Sequence, residues 1–147
     1  MKTTIASNVA RLTVALAVIS LCGCVPYPVN KTLQPSAQVT VRDRLNQPLP
    51  AAEVTLISSA YPYGFEKSRQ TKNTTVDGTA AFELVREWRA ETLMIHGAEE
   101  YFCNWCVRKP GYVTYLTTHR SAQDFQRNLT VHLDQGDSAP CPKPFRR

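Results

Sequence analysis

Apolar and polar residues alternate with a period of two along several short stretches of the chain. Val39 and Val41 flank Thr40 in the first clear example. The same alternation recurs around Val54 and Leu56, from Ala80 to Leu84 and from Leu129 to Leu133, and the stretch from Tyr101 to Val107 is aromatic-rich and strand-like. Successive side chains of an extended chain point to opposite faces, so each stretch predicts a β-strand with one buried face.

Residues typical of turns separate these stretches at intervals of about eight to twelve residues. Asp77-Gly78 predicts a hairpin, because both residues tolerate a positive φ. Pro110-Gly111 predicts a second break. No amphipathic stretch is long enough to predict a helix. The pattern therefore predicts an all-β domain of about seven or eight strands, arranged as an antiparallel sandwich of two sheets.

The start of the chain has the pattern of a secretory signal. Lys2 and Arg11 precede an apolar run, Leu12–Leu21, which has about half of the roughly 20 residues that a membrane-spanning helix needs. The run ends in Leu21-Cys22-Gly23-Cys24, which resembles the lipobox of bacterial lipoproteins. The resemblance implies that residues 1–23 are a signal peptide and that Cys24 carries lipid, including palmitate. The alternative is an ordinary cleavable signal that leaves a soluble periplasmic protein.

The same resemblance implies a location and a first partner. In lipoproteins of Gram-negative bacteria, Asp after the lipidated cysteine acts as an inner-membrane retention signal, whereas this chain has Val25. The chain is therefore predicted to be held in the outer membrane of the bacterial cell envelope through Cys24. Without residues 1–23 it has 124 residues (147 minus 23), and its formal charge falls from +5 to +3 because Lys2 and Arg11 are lost. Its basic residues form no stripe, so nucleic-acid binding is not predicted.

The remaining chain divides into three parts by composition. Residues 24–37 contain three prolines and no periodicity, which predicts an extended tether. The alternating stretches lie in residues 38–134, which are predicted to form the β-sandwich domain. Residues 135–147 contain three further prolines and are predicted to form an irregular C-terminal tail.

Segments of residues 37–134 together resemble a carboxypeptidase regulatory-like domain. The resemblance rests on Val39–Asp43, Pro48–Leu56, the Asp77-Gly78 turn before Phe82, and Gly111-Tyr112. It implies a transthyretin-like or immunoglobulin-like sandwich that is not catalytic and that serves as an add-on or adhesive module, sometimes near carbohydrate. Asn46, Gln47 and Ala51 depart from the family pattern, which often has glycine at these positions.

Three cysteines follow Cys24, namely Cys103, Cys106 and Cys141. An exported chain meets an oxidising compartment, so one disulfide is expected. If Cys103 faces the core, Cys106 faces outward in the same strand and is positioned to bond Cys141. We therefore predict a Cys106–Cys141 disulfide with Cys103 buried as a small apolar residue, and the alternative is Cys103–Cys141.

Cys103 and Cys106 also form a CxxC motif. Thiol oxidoreductases need a thiolate of low pKa there, usually at a helix N-terminus, but Pro110-Gly111 follows this motif instead of a helix. The three histidines lack zinc-ligand spacing, and no nucleophile-elbow motif occurs. No catalytic residue, metal or cofactor is predicted.

Tyr61, Tyr63 and Phe65 fall within one predicted loop. Sugars stack on aromatic rings through their apolar faces, and binding residues are common on loops, so these three are predicted ligand-binding residues. The alternative is that their rings fold back over a sheet edge.

The combined prediction is a non-enzymatic, membrane-anchored envelope lipoprotein that acts as an accessory or binding module for a carbohydrate or an envelope protein. The alternatives are a structural adaptor in a multiprotein envelope or secretion assembly, and a periplasmic thiol protein.

Overall fold

A computed structural model describes residues 26–92 and 99–144, which contain nine strands and one short 3₁₀ helix. The strands are β1 (Pro26–Gln34), β2 (Ala37–Asp43), β3 (Glu53–Tyr61), β4 (Phe65–Asn73), β5 (Thr79–Phe82), β6 (Val85–Thr92), β7 (Glu100–Arg108), β8 (Tyr115–Leu116) and β9 (Asn128–Leu133). The 3₁₀ helix covers Ala122–Asp124. The described ranges contain no α-helix, so the prediction of an all-β fold is confirmed.

The strands form three sheets. One has four antiparallel strands in the order β4-β3-β7-β8, and another has three strands in the order β5-β2-β9. The third pairs β1 with β6. The sequence pattern predicts two antiparallel sheets, but β2 and β9 are parallel, from Gln38 opposite Asn128 to Asp43 opposite Leu133. A period of two is the same in either direction, so it carries no information about strand polarity.

The four-stranded and three-stranded sheets enclose the core. Val39 and Val41 of β2 contribute from one sheet, and Val54 and Leu56 of β3 contribute from the other. Trp105 of β7 is fully buried. Its ring centroid lies 5.4 Å from that of Phe82 and 5.3 Å from that of Phe125, and its indole Nε1 donates to the Gln126 carbonyl at 3.1 Å. The predicted sandwich is therefore present, with its inward faces at the alternating apolar positions.

Residues 26–34, predicted as part of an unpaired tether, form strand β1. At its end Leu33 and Gln34 are buried, and the Gln34 amide Nε2 donates to Gln70 Oε1 at 3.1 Å and to the Glu83 carbonyl at 3.0 Å. Pro26 and Pro28 argue against a central strand, but β1 pairs with β6 alone, and such an edge position tolerates residues without an N–H. The described part of the predicted tether is thus ordered, and residues 24 and 25 lie outside the described ranges.

The described residues fall into two compact units. The larger unit spans Asn30–Glu87 and the described part of Glu99–Arg147, and it holds the sandwich. The smaller unit comprises residues 26–29 and 88–92, the first part of β1 and the last part of β6.

The Asp77-Gly78 turn is present but does not form the predicted hairpin. It leads from β4 of the four-stranded sheet to β5, which pairs with β2 of the other sheet. Gly78 has φ +78°, and its carbonyl accepts from the Val41 N–H at 2.7 Å. Hydroxyl donation from Thr75 and Thr79 to the Asp77 carboxylate lowers the pKa of Asp77. The turn therefore joins the two sheets at their common end.

We expect Gly78→Ala to destabilise the domain more than Gly111→Ala does. Both glycines have positive φ, which costs an L-residue roughly 1–2 kcal/mol. A Cβ at Gly78 would also lie 2.5 Å from the Val41 carbonyl oxygen, whereas a Cβ at Gly111 would meet no heavy atom within 4 Å. Urea unfolding of both variants measures the difference, and equal losses would contradict the close approach at Gly78.

Candidate functional site

The connection between β3 and β4 carries the aromatic residues singled out in the sequence. We call Tyr61–Phe65 the aromatic loop. Tyr61 ends β3 and Phe65 begins β4, so only Pro62, Tyr63 and Gly64 lie between the strands. Gly64 has φ +73°, and its N–H donates to the Ala60 carbonyl at 2.8 Å. This bond closes the loop tightly on the end of β3.

The two tyrosine rings of the aromatic loop face solvent. Tyr61 is 57% exposed and Tyr63 is 74% exposed, while Phe65 is half-buried. The ring centroids of Tyr63 and Phe65 are 5.6 Å apart with a tilt of 36°. Both tyrosine side chains are therefore largely accessible to solvent.

A cavity of about 300 Å³ adjoins the aromatic loop. It is lined by four loop residues and by Phe102 and Arg120. Phe102 is buried in β7, and Arg120 is exposed in the irregular segment after β8. Arg120 makes no ion pair with any carboxylate of the described residues. The cavity thus combines aromatic rings with one unpaired guanidinium.

A second cavity, of about 190 Å³, lies on the outer face of the four-stranded sheet, opposite the core. We call it the tail groove, because Pro142 and Lys143 of the C-terminal tail line it. The other lining residues are Ile57, Ser59, Gly64, Glu66, Arg69, Asn104, Leu116, Thr117 and Thr118. Gly64 lines both cavities, so the tail groove continues the surface of the aromatic loop.

An ion pair on β4 holds the tail over this groove. Arg69 Nε donates to Glu66 Oε1 at 2.9 Å, and Arg69 Nη2 donates to Glu66 Oε2 at 2.7 Å. Nη2 also donates to the Pro142 carbonyl at 2.9 Å. The hydrogen bonds to Glu66 raise the pKa of Arg69. Because the Glu66 side chain is only 6% exposed, loss of Arg69 would leave a nearly buried carboxylate unpaired.

The second attachment of the tail is the Cys106–Cys141 disulfide, whose Cα atoms are 5.9 Å apart. This disulfide confirms the pairing predicted from the alternation of side chains along the strand that contains Cys103 and Cys106. Cys103 and Trp105 belong to the core, so Cys106 points to the outer face, where the tail buries it completely. Closing a loop across a separation of 35 residues stabilises the fold by roughly 3–4 kcal/mol in the loop-entropy account.

On the β7 side, the tail groove is lined by Asn104, whose side-chain amide is hydrogen-bonded to the segment after β8. Asn104 Nδ2 donates to the His119 carbonyl at 3.0 Å, and Asn104 Oδ1 accepts from the His119 N–H at 2.6 Å and from Thr117 Oγ1 at 3.0 Å. These bonds tie residues 117–119 to β7. They also fix the segment that leads into Arg120.

Cys103 is the free cysteine of the described residues and is 4% exposed. Burial raises the pKa of its thiol to about 11, although a hydrogen bond with Ser58 acts in the opposite direction. A thiol oxidoreductase needs the opposite shift. Cys106 is bonded to Cys141, so the CxxC motif supplies no paired thiols in this structure.

The remaining sequence predictions concern the lipid attachment site, metal ligands and membrane-spanning segments. Cys24 and residues 1–23 lie outside the described ranges. Within residues 26–92 and 99–144, no group of three or more His, Cys, Asp or Glu side chains is placed to hold a metal ion. In those same ranges no helix is long and apolar enough to cross a membrane.

Most residues that line the two cavities were not predicted from the sequence, among them Phe102, Glu66, Arg69 and Arg120. Phe102 follows the strand period, but the period does not reveal that a loop and a cavity cover that end of the outer face. Glu66 and Arg69 occupy the polar positions of an edge strand, where charge is ordinary. Arg120 lies in a segment without periodicity. No local signal distinguishes these three charged residues from solvated ones.

Comparison with protein-family models, with curated proteins and with solved structures found no match. The resemblances to lipoproteins and to carboxypeptidase regulatory-like domains therefore remain predictions from the sequence motifs alone. The functional proposal accordingly rests on those motifs and on the geometry of the two cavities.

We expect iodoacetamide to alkylate Cys103 about 50-fold more slowly in the folded protein than in urea at pH 9, from the difference in thiolate fraction alone. Because the folded pKa is raised, the rate in the folded state should keep rising about tenfold per pH unit above pH 9. In urea it should level off near that pH. Mass spectrometry of quenched samples measures both rates, with Cys103→Ala as the unlabelled control. A folded-state rate that levels off near pH 9 would contradict the burial of this thiol.

Proposed function

We propose that this chain is a non-enzymatic lipoprotein of the bacterial envelope, anchored through Cys24, whose β-sandwich binds a saccharide at the aromatic loop. One observation carries the binding proposal. Tyr61 and Tyr63 expose 57% and 74% of their surfaces beside a cavity of about 300 Å³ that also contains an unpaired Arg120.

The exposed rings suit a saccharide in particular. Tyrosine presents a flat apolar face together with a hydroxyl that donates and accepts hydrogen bonds. A pyranose ring has an apolar C–H face and a polar rim, which match these two parts. Tyr61 and Tyr63 are two positions apart at a strand end, so both rings are available within one short loop. Stacking fixes the ring plane of the sugar, and polar groups around the cavity orient it.

The loop is held on a rigid base. Gly64 closes it on β3, and β3 lies between β4 and β7 with backbone pairing on both sides. The disulfide and the Arg69–Pro142 hydrogen bond fix the tail next to it. A binding surface that is ordered before the ligand arrives loses less conformational entropy on binding. This preorganisation supports a recognition role.

The anchoring proposal rests on the lipobox-like residues 21–24 and on the strand that begins just after them. Pro26 begins β1 two residues after Cys24, a contour of at most about 7 Å. The β1–β6 sheet, not a free tether, would therefore be the part of the chain next to the lipid. Tyr27 of β1 and Trp88 of β6 are 37% and 73% exposed, and such aromatic residues are enriched at membrane–water interfaces. Val25 supports the outer membrane as the destination.

A structural adaptor remains the second candidate function. Exposed tyrosines next to an arginine are also typical of the residues that dominate protein–protein interfaces. A protein partner would then occupy the aromatic loop in place of a saccharide. Measured affinity for oligosaccharides separates the two functions.

We expect Cys24→Ser to abolish lipid attachment and Cys22→Ser to preserve it. Only a cysteine at the acceptor position would supply the thioether sulfur, while position 22 needs only a small side chain. Incorporation of an alkyne-labelled palmitate in bacterial cells, with the mass of the N-terminal peptide, measures the effect. Unchanged labelling of the Cys24→Ser chain would refute the anchor.

We expect Tyr61→Ala and Tyr63→Ala each to weaken saccharide binding by about 5–30-fold, corresponding to about 1–2 kcal/mol per lost ring contact. Val76→Ala is the matched control, because Val76 is 87% exposed and lines neither cavity. Titration against an oligosaccharide array and against peptidoglycan fragments provides the affinities. Equal affinities of all three variants and the unmodified chain would exclude the aromatic loop as the binding site.

A further inference from the structure

We infer that the saccharide recognised at the aromatic loop is an acidic one, whose carboxylate is bound by the guanidinium of Arg120. The inference rests on the proposed function and adds the chemical class of the ligand. Its basis is the charge of the surface that the two cavities form together.

Arg120 is the ionisable side chain that a sugar stacked on Tyr61 or Tyr63 would meet. It lines the same cavity as both rings. Two other arginines of the sandwich are already paired with carboxylates, Arg69 with Glu66 and Arg44 with Asp134. Arg120 has no such carboxylate among the described residues. Its donors therefore remain available to a ligand.

The tail groove extends this positive character. Glu66 is the only carboxylate residue among those lining the two cavities, and Arg69 already makes two hydrogen bonds to it. Lys143 lines the groove on the tail side. Three cationic side chains and one carboxylate therefore line the continuous surface, a net charge of +2. The potential along it favours an anionic ligand over a neutral one.

The shape of the surface favours a chain of sugars. The cavities of about 300 and 190 Å³ meet at Gly64, so a ligand stacked on the aromatic loop continues along the outer face towards Lys143. A carboxylated oligosaccharide offers apolar ring faces to the tyrosines and a carboxylate to Arg120. The planar guanidinium matches a carboxylate with two parallel N–H···O bonds, which a hydroxyl of a neutral sugar cannot accept.

The test compares carboxylated oligosaccharides with their methyl esters, which keep the same sugar rings and lose the charge. Oligogalacturonate and oligomannuronate serve as probes for the mature chain. We expect the acids to bind about 2–5-fold more tightly than the esters at low ionic strength, as a solvent-accessible ion pair would give. We expect the preference to shrink as salt is raised, because salt screens exposed charges.

Matched variants assign the preference to Arg120. Arg120→Gln should lose most of the preference for acids over esters, because only the more distant charge of the tail groove remains, and Arg120→Lys should keep a larger part of it. Arg127→Gln is the control, since Arg127 is exposed and lines neither cavity. Circular dichroism establishes that each variant folds.

The failures of the two proposals are distinguishable. Equal binding of acids and esters by the unmodified chain, or a preference that is undiminished in Arg120→Gln, would overturn the acidic-ligand inference and leave saccharide binding standing. Binding of neither set would overturn both. Binding of a poly-glutamate peptide without binding of any saccharide would also overturn both, in favour of a protein partner.

Discussion

The covalent attachment of the C-terminal tail to the outer face of the four-stranded sheet is the constraint on which the rest of the candidate site depends. β3 is buried on both faces, with Val54 and Leu56 in the core and Thr55 and Ile57 towards the outer side. In a two-sheet sandwich the outer face normally contacts water. Here the Cys106–Cys141 disulfide and the Arg69–Pro142 hydrogen bond place the tail along that face and create the tail groove.

This arrangement connects the fold to the proposed function. The same sheet that supplies Val54, Leu56 and Trp105 to the core also positions the aromatic loop at the end of β3. A tail that is held by the disulfide and by the Arg69–Pro142 hydrogen bond limits the motion of the groove that continues from the loop. Binding residues on a short loop carried by rigid strands are a common solution to molecular recognition. The fold tolerates two exposed tyrosines there, because single exposed apolar side chains lower the free energy of unfolding only slightly.

Sequence reasoning identified the features that depend on periodicity, and it missed those that depend on contacts distant in the chain. The alternation at Val39, Val41 and Val54 indicated core positions, and the parity of Cys103 and Cys106 indicated which cysteine bonds Cys141. The prolines of residues 26–34 concealed an edge strand. The parallel pairing of β2 with β9 could not be predicted from the sequence pattern, because side chains alternate with a period of two in parallel and antiparallel strands alike. Arg120 could not be found without the position of the loop that it faces.

Photo-crosslinking in living cells, with the probe in place of Tyr63 and the Cys24 anchor intact, tests the central claim most directly. A probe in place of Thr130, exposed on β9, serves as the control. We expect the Tyr63 probe alone to give adducts of broad mass that collapse when the envelope glycans are digested with glycosidases. A single discrete protein adduct at Tyr63, or the same adducts from Thr130, would contradict saccharide recognition at the aromatic loop.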